Sequence, residues 1–238
     1  MMEQLQLTPR LQVVANLVPK GATLADVGTD HAHLPVWLLL NGRIASAIAS
    51  DIRPGPLERA RGTVEAYRLQ ERVSLRLCPG LEGVSPREAD TVTICGMGGD
   101  MMIGILEAAP WTKEGVTLIL QPQSGQPRLR RWLTAHGYAI QLECLAKEAH
   151  RWYPVLLVRG GSCAALSPSE ALAGPERAWR QEPLRLEYLV FLRQQCSRQL
   201  DAVLRSEKAA DVTRRAELAE CVAALDGWIQ ARKEGAAT

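Results

Sequence analysis

The spacing of hydrophobic positions changes along the chain, and those changes divide it. Residues 7–18 carry Leu11, Val14, Ala15 and Val18 on one helical face, with Thr8 as N-cap and Pro9 at the first helical position. Pro19-Lys20-Gly21 ends that segment. Short continuous apolar runs then alternate with stretches of helical length. Residues 23–27, 46–52, 73–78, 91–95 and 117–120 read as buried strands, and residues 34–40, 56–68, 101–108 and 127–136 as helices. The alternation predicts an α/β domain with a mostly parallel sheet and right-handed crossovers that place helices on both faces.

After Gly137 the pattern changes. Residues 138–145 and 155–159 are extended-looking, and residues 146–154 between them are too short for a crossover helix, so an antiparallel strand pair should close the sheet. Gly160-Gly161-Ser162 and the prolines at 168, 175 and 183 mark the end of a first domain, 1–161. Residues 162–238 form a helical domain. Leu189, Leu192, Cys196, Leu200 and Val203 lie on one stripe, and Leu218, Val222, Leu225 and Ile229 on another. A helical hairpin or coiled coil with a turn at 206–213 fits them; one long interrupted helix is the alternative.

Composition narrows the class. The 238 residues are 47% hydrophobic and 23% charged, as in a globular protein. No apolar run approaches the roughly 20 residues that cross a bilayer, and the first residues lack a signal-peptide pattern. A cytoplasmic location is expected, with no membrane partner. Six cysteines (78, 95, 144, 163, 196, 221) show no CxxC pair or Cys/His cluster, so they read as reduced thiols and no metal is expected. Lys and Arg number 28 against 26 Asp and Glu, a net charge of +2, so any RNA-binding face must be local. Aromatic residues make up 5% of the chain with a single Phe, which argues against an RRM-like stacking platform.

The candidate chemistry centres on Asp26-Val27-Gly28-Thr29-Asp30-His31-Ala32, where an apolar strand runs into a glycine turn ahead of a helix. A glycine there permits close approach of a ligand, and the helix start offers free N–H groups. Asp30 and Ala32 replace the later glycines of a dinucleotide loop, and a carboxylate there would repel a pyrophosphate. An acidic loop suits a cofactor carrying an ammonium and a sulfonium. Asp51, ending the second strand, stands where such folds hold the ribose hydroxyls. His31 and His33 lack a third ligand for a metal; His31 is either a capping residue or a substrate contact. Arg128, Arg130 and Arg131, with Arg10, Arg43, Arg53 and Arg151, are either a solvated face or a phosphate grip.

Four segments carry a family resemblance: Leu7-Thr8-Pro9-Arg10-Leu11, Ala25 through Pro35, Ile94-Cys95-Gly96-Met97-Gly98-Gly99, and Leu118 through Gln123. Over residues 5–160 the chain resembles the bacterial tRNA (adenine22-N1)-methyltransferase family, TrmK, and residues after 165 resemble it only loosely. The resemblance implies a class I, Rossmann-like methyltransferase fold, S-adenosyl-L-methionine as cofactor, and folded tRNA with a D-arm adenosine as partner. The cofactor residues it implies are Asp26, Gly28, Thr29, Asp51, Ile52, Gly80, Leu81 and Gly96. Cys78-Pro79 stands where the family has Gly-Asp, so an acceptor for the cofactor's adenine is missing, and Glu82 or a backbone carbonyl is the substitute.

Candidate substrate contacts are Arg10, His31, Met97, Gly98, Gly99, Gln121, Pro122 and Arg128. The Gly-rich stretch reads as a strand-to-helix turn leaving room for a flat base beside Met97. The expected reaction is transfer of methyl to N1 of adenosine 22, with Asp30 as the catalytic residue that stabilises positive charge at N1 and N6. A small-molecule methyltransferase or a non-catalytic RNA-binding or partner-binding module on this fold are the alternatives. The oligomeric state is open, with a monomer favoured.

Overall fold

The computed structural model describes residues 5–179, 182–205 and 211–235. Its sheet has seven strands: β1 (Ala22–Val27), β2 (Ile44–Asp51), β3 (Val73–Leu77), β4 (Thr91–Gly98), β5 (Thr117–Ser124), β6 (Tyr138–Glu148) and β7 (Arg151–Gly160). Their spatial order is β3-β2-β1-β4-β5-β7-β6, with β1 to β5 parallel and β7 antiparallel to both β5 and β6. This is the expected mostly parallel sheet closed by an antiparallel pair. Pleating sends successive residues to opposite faces. Leu118 and Leu120 join Val27, Ile94, Met102, Leu106, Leu129 and Leu133 in one apolar cluster, while Ile119 joins Leu24, Val14, Leu34, Leu38 and Val64 in the other. Helices α1 (Pro9–Leu17), α2 (His33–Leu40) and α3 (Pro54–Ala66) thus cover one face, and α4 (Gly99–Ala108) and α5 (Gln126–Ala135) cover the other.

The strands run further than apolar patterning indicated. β4 continues through Gly98 and β5 through Ser124, so the expected turn at 96–99 is irregular strand that leads directly into α4. The ladder pairs Cys95 with Gln121 and resumes at Met97 with Pro122, skipping Gly96. Pro122 has no N–H to donate, and the register shifts where that bond would fall. β6 and β7 meet through Ala149-His150, with Ala149 at φ +52°.

Beyond the sheet lie α6 (Pro168–Ala173), α7 (Arg185–Leu204) and α8 (Asp211–Gly235). Arg193 pairs with Asp226 at 3.0 Å and Arg214 with Gln199 at 3.0 Å, so α7 and α8 run antiparallel and are not one long helix. Of the turn expected at 206–213, residues 206–210 lie outside the described residues, and α8 already includes 211–213. The pair docks on the closing strands: Leu145 and Trp152 pack with Tyr188, Leu189, Leu192, Leu218 and Leu225.

A buried ion pair ties α5 and β6 to α6. Arg130 on α5 and Glu143 on β6, both with fully buried side chains, meet at 2.7 Å in a two-point bond, and the same guanidinium donates to the carbonyls of Ala171 and Leu172. Arg130 therefore belongs to no RNA-facing patch. Arg43 is likewise spent on the carbonyls of Asn16 and Val18. Removing one partner of a buried pair costs about 3–5 kcal/mol. Glu143→Leu is expected to lower the unfolding free energy by that order in urea titration, with Arg130→Met/Glu143→Leu recovering part of the loss. A cost below about 1 kcal/mol for the single variant would show that the pair is expendable.

Candidate active site at the carboxyl edge of the sheet

Winding reverses between β1 and β4, and their crossovers diverge, so a cleft opens outside the carboxyl ends of the strands. It encloses about 880 Å³ and is lined by the ends of β1, β2 and β4, the loops after β1 and β3, and residues of α1, α2 and α4.

Asp26, next to last in β1, is buried at 5% exposure and accepts a 2.7 Å hydrogen bond from the Thr93 hydroxyl. Burial pushes its carboxyl above the ordinary carboxylate range, against the Thr93 bond, which favours the charged form. The chain then turns at Gly28, whose φ is +73° and where a Cβ would lie 2.2 Å from the Met97 methyl carbon. The Gly28 and Thr29 amides both donate to the Ser50 carbonyl, at 2.8 and 3.0 Å. Those two N–H groups tie β1 to β2, so the loop donors left to a ligand lie beyond them.

Asp30, at φ +49°, stands at the cleft mouth with its side chain 61% exposed. Arg59 on α3 bonds to its Oδ1 at 2.6 Å and, through Nε, to His31 at 3.1 Å. The Arg59 bond holds the Asp30 carboxyl below its ordinary range. Asp51 is buried at the end of β2 and accepts the Arg53 amide on Oδ1 at 2.9 Å. Beside it Ile52 lines the cleft 65% exposed, as does Met101 at 60%, with Pro79, Gly80 and Ile105 completing an apolar wall. Exposed apolar groups in a cleft offer a flat ring a place to bind.

A second set of bonds fixes the opposite side. The buried Gln121 carboxamide oxygen accepts from the Gly96 amide at 3.2 Å and from Arg10 Nη1 at 2.8 Å. Arg10 also donates its backbone N–H to Glu148 and lies 5.6 Å over the Tyr153 ring. Gly96, at φ +76°, has room for no side chain without crowding Arg10.

The cleft thus brings together Arg10, Asp26, Gly28, Thr29, Asp30, His31, Asp51, Ile52, Gly80, Gly96, Met97 and Gly98. Six further candidates lie elsewhere. Leu81 packs in the core, because the turn after Gly80 points it beneath α4. Gly99 starts α4, and a Cβ there would meet the Gly125 carbonyl oxygen at 2.7 Å. Gln121 and Pro122 are buried in β5, so Gln121 acts on the cleft through Arg10 and Gly96. Arg128 is exposed and paired with Asp100 at 3.1 Å. Glu82 is exposed and outside the cleft wall.

A family profile described as "Methyltransferase domain" matches residues 7–156. The tRNA (adenine(22)-N(1))-methyltransferase of Bacillus subtilis (strain 168) is 35% identical over 233 residues, which cover 91% of this chain and 97% of that protein. The chain belongs to this methyltransferase family. The crystal structure of the B. subtilis M1A22 tRNA methyltransferase TrmK superposes with a TM-score of 0.84 at 32% identity, covering 95% of this chain and 100% of that one. M. capricolum TrmK in complex with S-adenosyl-homocysteine gives 0.77 at 27% identity, covering 94% and 98%.

Family motifs do not mark every residue that shapes this methyltransferase cleft. Arg59 pairs with Asp30 across 29 positions, and Tyr153 and Glu148 hold Arg10 across more than a hundred. Met101 and Ile105, on the helix expected at 101–108, carried no motif that marked them, yet both line the cleft.

The Asp26 environment yields a test. A carboxyl whose folded pKa is raised binds its proton more tightly in the folded state, so stability is greatest below the unfolded pKa and is lost as pH rises through the folded one. Asp26→Asn is therefore expected to melt above the parent at pH 7, with the advantage shrinking as pH falls into the ordinary carboxylate range. Melting curves that differ equally at all pH values would contradict this.

Proposed function

We infer that the chain transfers a methyl group from S-adenosyl-L-methionine to N1 of adenosine 22 in tRNA. The observation that carries this is the full-length likeness to the B. subtilis enzyme of that name, together with an intact cleft at the switch point. The cofactor fits the residues present. Asp51 offers a buried carboxylate to ribose hydroxyls, the Ile52, Pro79 and Ile105 wall offers an apolar slot to adenine, and Asp26, Gly28, Thr29, Gly80 and Gly96 shape the space between. Bound there, S-adenosyl-L-methionine supplies an electrophilic methyl group on a sulfonium.

Adenine N1 carries its own in-plane lone pair, so no side chain has to remove a proton before attack. Alignment is the main task of the site. Gly96, Met97 and Gly98 leave a flat base room, and His31 and Arg10 border it. Asp30 is kept ionised by Arg59 and stabilises the positive charge that spreads over N1 and N6. Because N1 lies on the pairing edge, a D-arm adenosine leaves its helix to react. In the same reading, 162–238 is a helical domain that grips folded RNA, and the chain acts in the cytoplasm as a monomer. Among the described residues no helix is long and apolar enough to cross a membrane.

Incubation with unmodified tRNA and mapping of the modified atom tests the reaction: N1-methyladenosine at position 22 is expected, and methyl at another atom or nucleotide would overturn it. Asp51→Ala removes a charged acceptor whose bonds are worth about 1.5–3 kcal/mol each, so the cofactor dissociation constant should rise at least tenfold. An unchanged constant in a folded variant would reject the ribose placement. Asp30→Asn removes charge alone, since Asn also tolerates positive φ. Its single-turnover rate should fall by about 10² with cofactor affinity and melting temperature retained; a rate within a few-fold of the parent would assign Asp30 to the Arg59 pair only.

A further inference from the structure

A second cavity of about 410 Å³ opens where β7 and the start of α5 meet α7. We propose that it receives the nucleobase of a nucleotide adjoining the target adenosine, so that the enzyme holds two neighbouring nucleotides with Arg10 at the phosphate between them. This deepens the tRNA methyltransferase reading and rests on it.

Four features of the cavity carry the inference. Its size falls in the range of small-ligand sites, about 300–1,000 Å³. Its walls supply π-faces from separate elements. Trp152 and Tyr153 come from β7, Tyr188 and Phe191 from α7, and the Trp152 ring centroid stands 5.5 Å from that of Tyr188 and 6.0 Å from that of Phe191. Exposed carboxamides of Gln123 and Gln195 add groups that can both donate and accept, as a base edge requires. Among the described residues no carboxylate lines it, while His150 and Arg151 do, so a polyanionic backbone meets no like charge from them.

Continuity with the methyl-transfer cleft decides what class of ligand fits. Gln123 lines both spaces. Arg10 lines the cleft, and its guanidinium lies over the ring of Tyr153, which lines the second cavity. Gln121 and Glu148 hold Arg10 at that boundary. A cation fixed between two base-sized spaces suits a phosphodiester joining two bases. Single-stranded nucleic acid splays its bases onto aromatic faces in this way.

The test couples a protein change to an RNA change. Phe191→Leu keeps an apolar group in the helix packing but removes a π-face, and full-length tRNA is prepared with an abasic nucleotide immediately 5′ or immediately 3′ of the methylated adenosine. In the parent, one of the two abasic tRNAs should lose about tenfold in kcat/KM. Phe191→Leu should lose a similar factor on intact tRNA, and the same abasic substitution should then cost the variant little, because both changes delete one stacking contact. The cofactor dissociation constant and melting temperature of the variant, measured alongside, should stay near the parent values. Losses that multiply independently, or no loss from either abasic site in the parent, would overturn the second pocket while leaving methylation of intact tRNA in place. Failure of the parent to methylate intact tRNA would instead reject the functional reading, and the pocket with it.

Discussion

A parallel sheet that starts at β1 and grows outward in both directions obliges its crossover helices to diverge. Right-handed connections lead α2 and α3 to one face, where they serve β2 and β3, and α4 and α5 to the other, where they serve β5 and the closing strands. At the junction of β1 and β4 no helix covers the carboxyl ends, and both strands finish in residues with unusual backbone or buried charge. The cleft is the direct consequence of that reversal. Asp26, Gly28, Asp51, Gly96 and Met97 all belong to strand ends, or to the residues just after them, around this opening.

Electrostatics around the opening are arranged at a cost in stability. Asp26 is buried with the Thr93 hydroxyl as its partner and, among the described residues, no paired cation, a position a structural residue would avoid. Asp30 and Asp51 have arginines nearby, one at a direct 2.6 Å pair and one at 3.8 Å, and both remain accessible from the cleft. An acidic opening with local counter-charges suits a cationic cofactor and excludes pyrophosphate ligands. Arg10 lines the same cleft, held by Gln121 and Glu148, and Arg151 lies at the start of β7 beside the neighbouring cavity.

The antiparallel closing pair does more than end the sheet. β6 and β7 present Leu145 and Trp152 to α7 and α8, and Arg130 links α5, β6 and the carbonyls of α6 in one buried set of bonds. A misplaced α6 would leave the Arg130 donors to Ala171 and Leu172 unpaired in a buried site, so those bonds favour one docking geometry. That geometry brings Tyr188 and Phe191 alongside Trp152 and Tyr153, next to the cleft.

Local patterning was enough to locate the strands, their parallel sense and the closing pair, because buried parallel strands need continuous apolar runs and crossovers need helical length. Residues at the ends of β1 and β2 were legible for the same reason: Asp26 and Asp51 lie in the last positions of strands that composition already marks, and Gly28 directly follows one. What patterning could not reach were contacts between distant segments. Arg130 looked like one of three surface arginines until the fold buried it against Glu143, and Leu81 and Gly99 looked like loop residues until packing claimed them. Gln123, Tyr153 and Phe191 carry no local signal of a shared cavity, since a side chain's neighbours across a sheet or a docked helix are set by tertiary register. Period and turn chemistry, both local, set the order of elements and the acidic loop. Which charges are buried, which are paired and which face the cleft follows from packing between segments far apart in the chain.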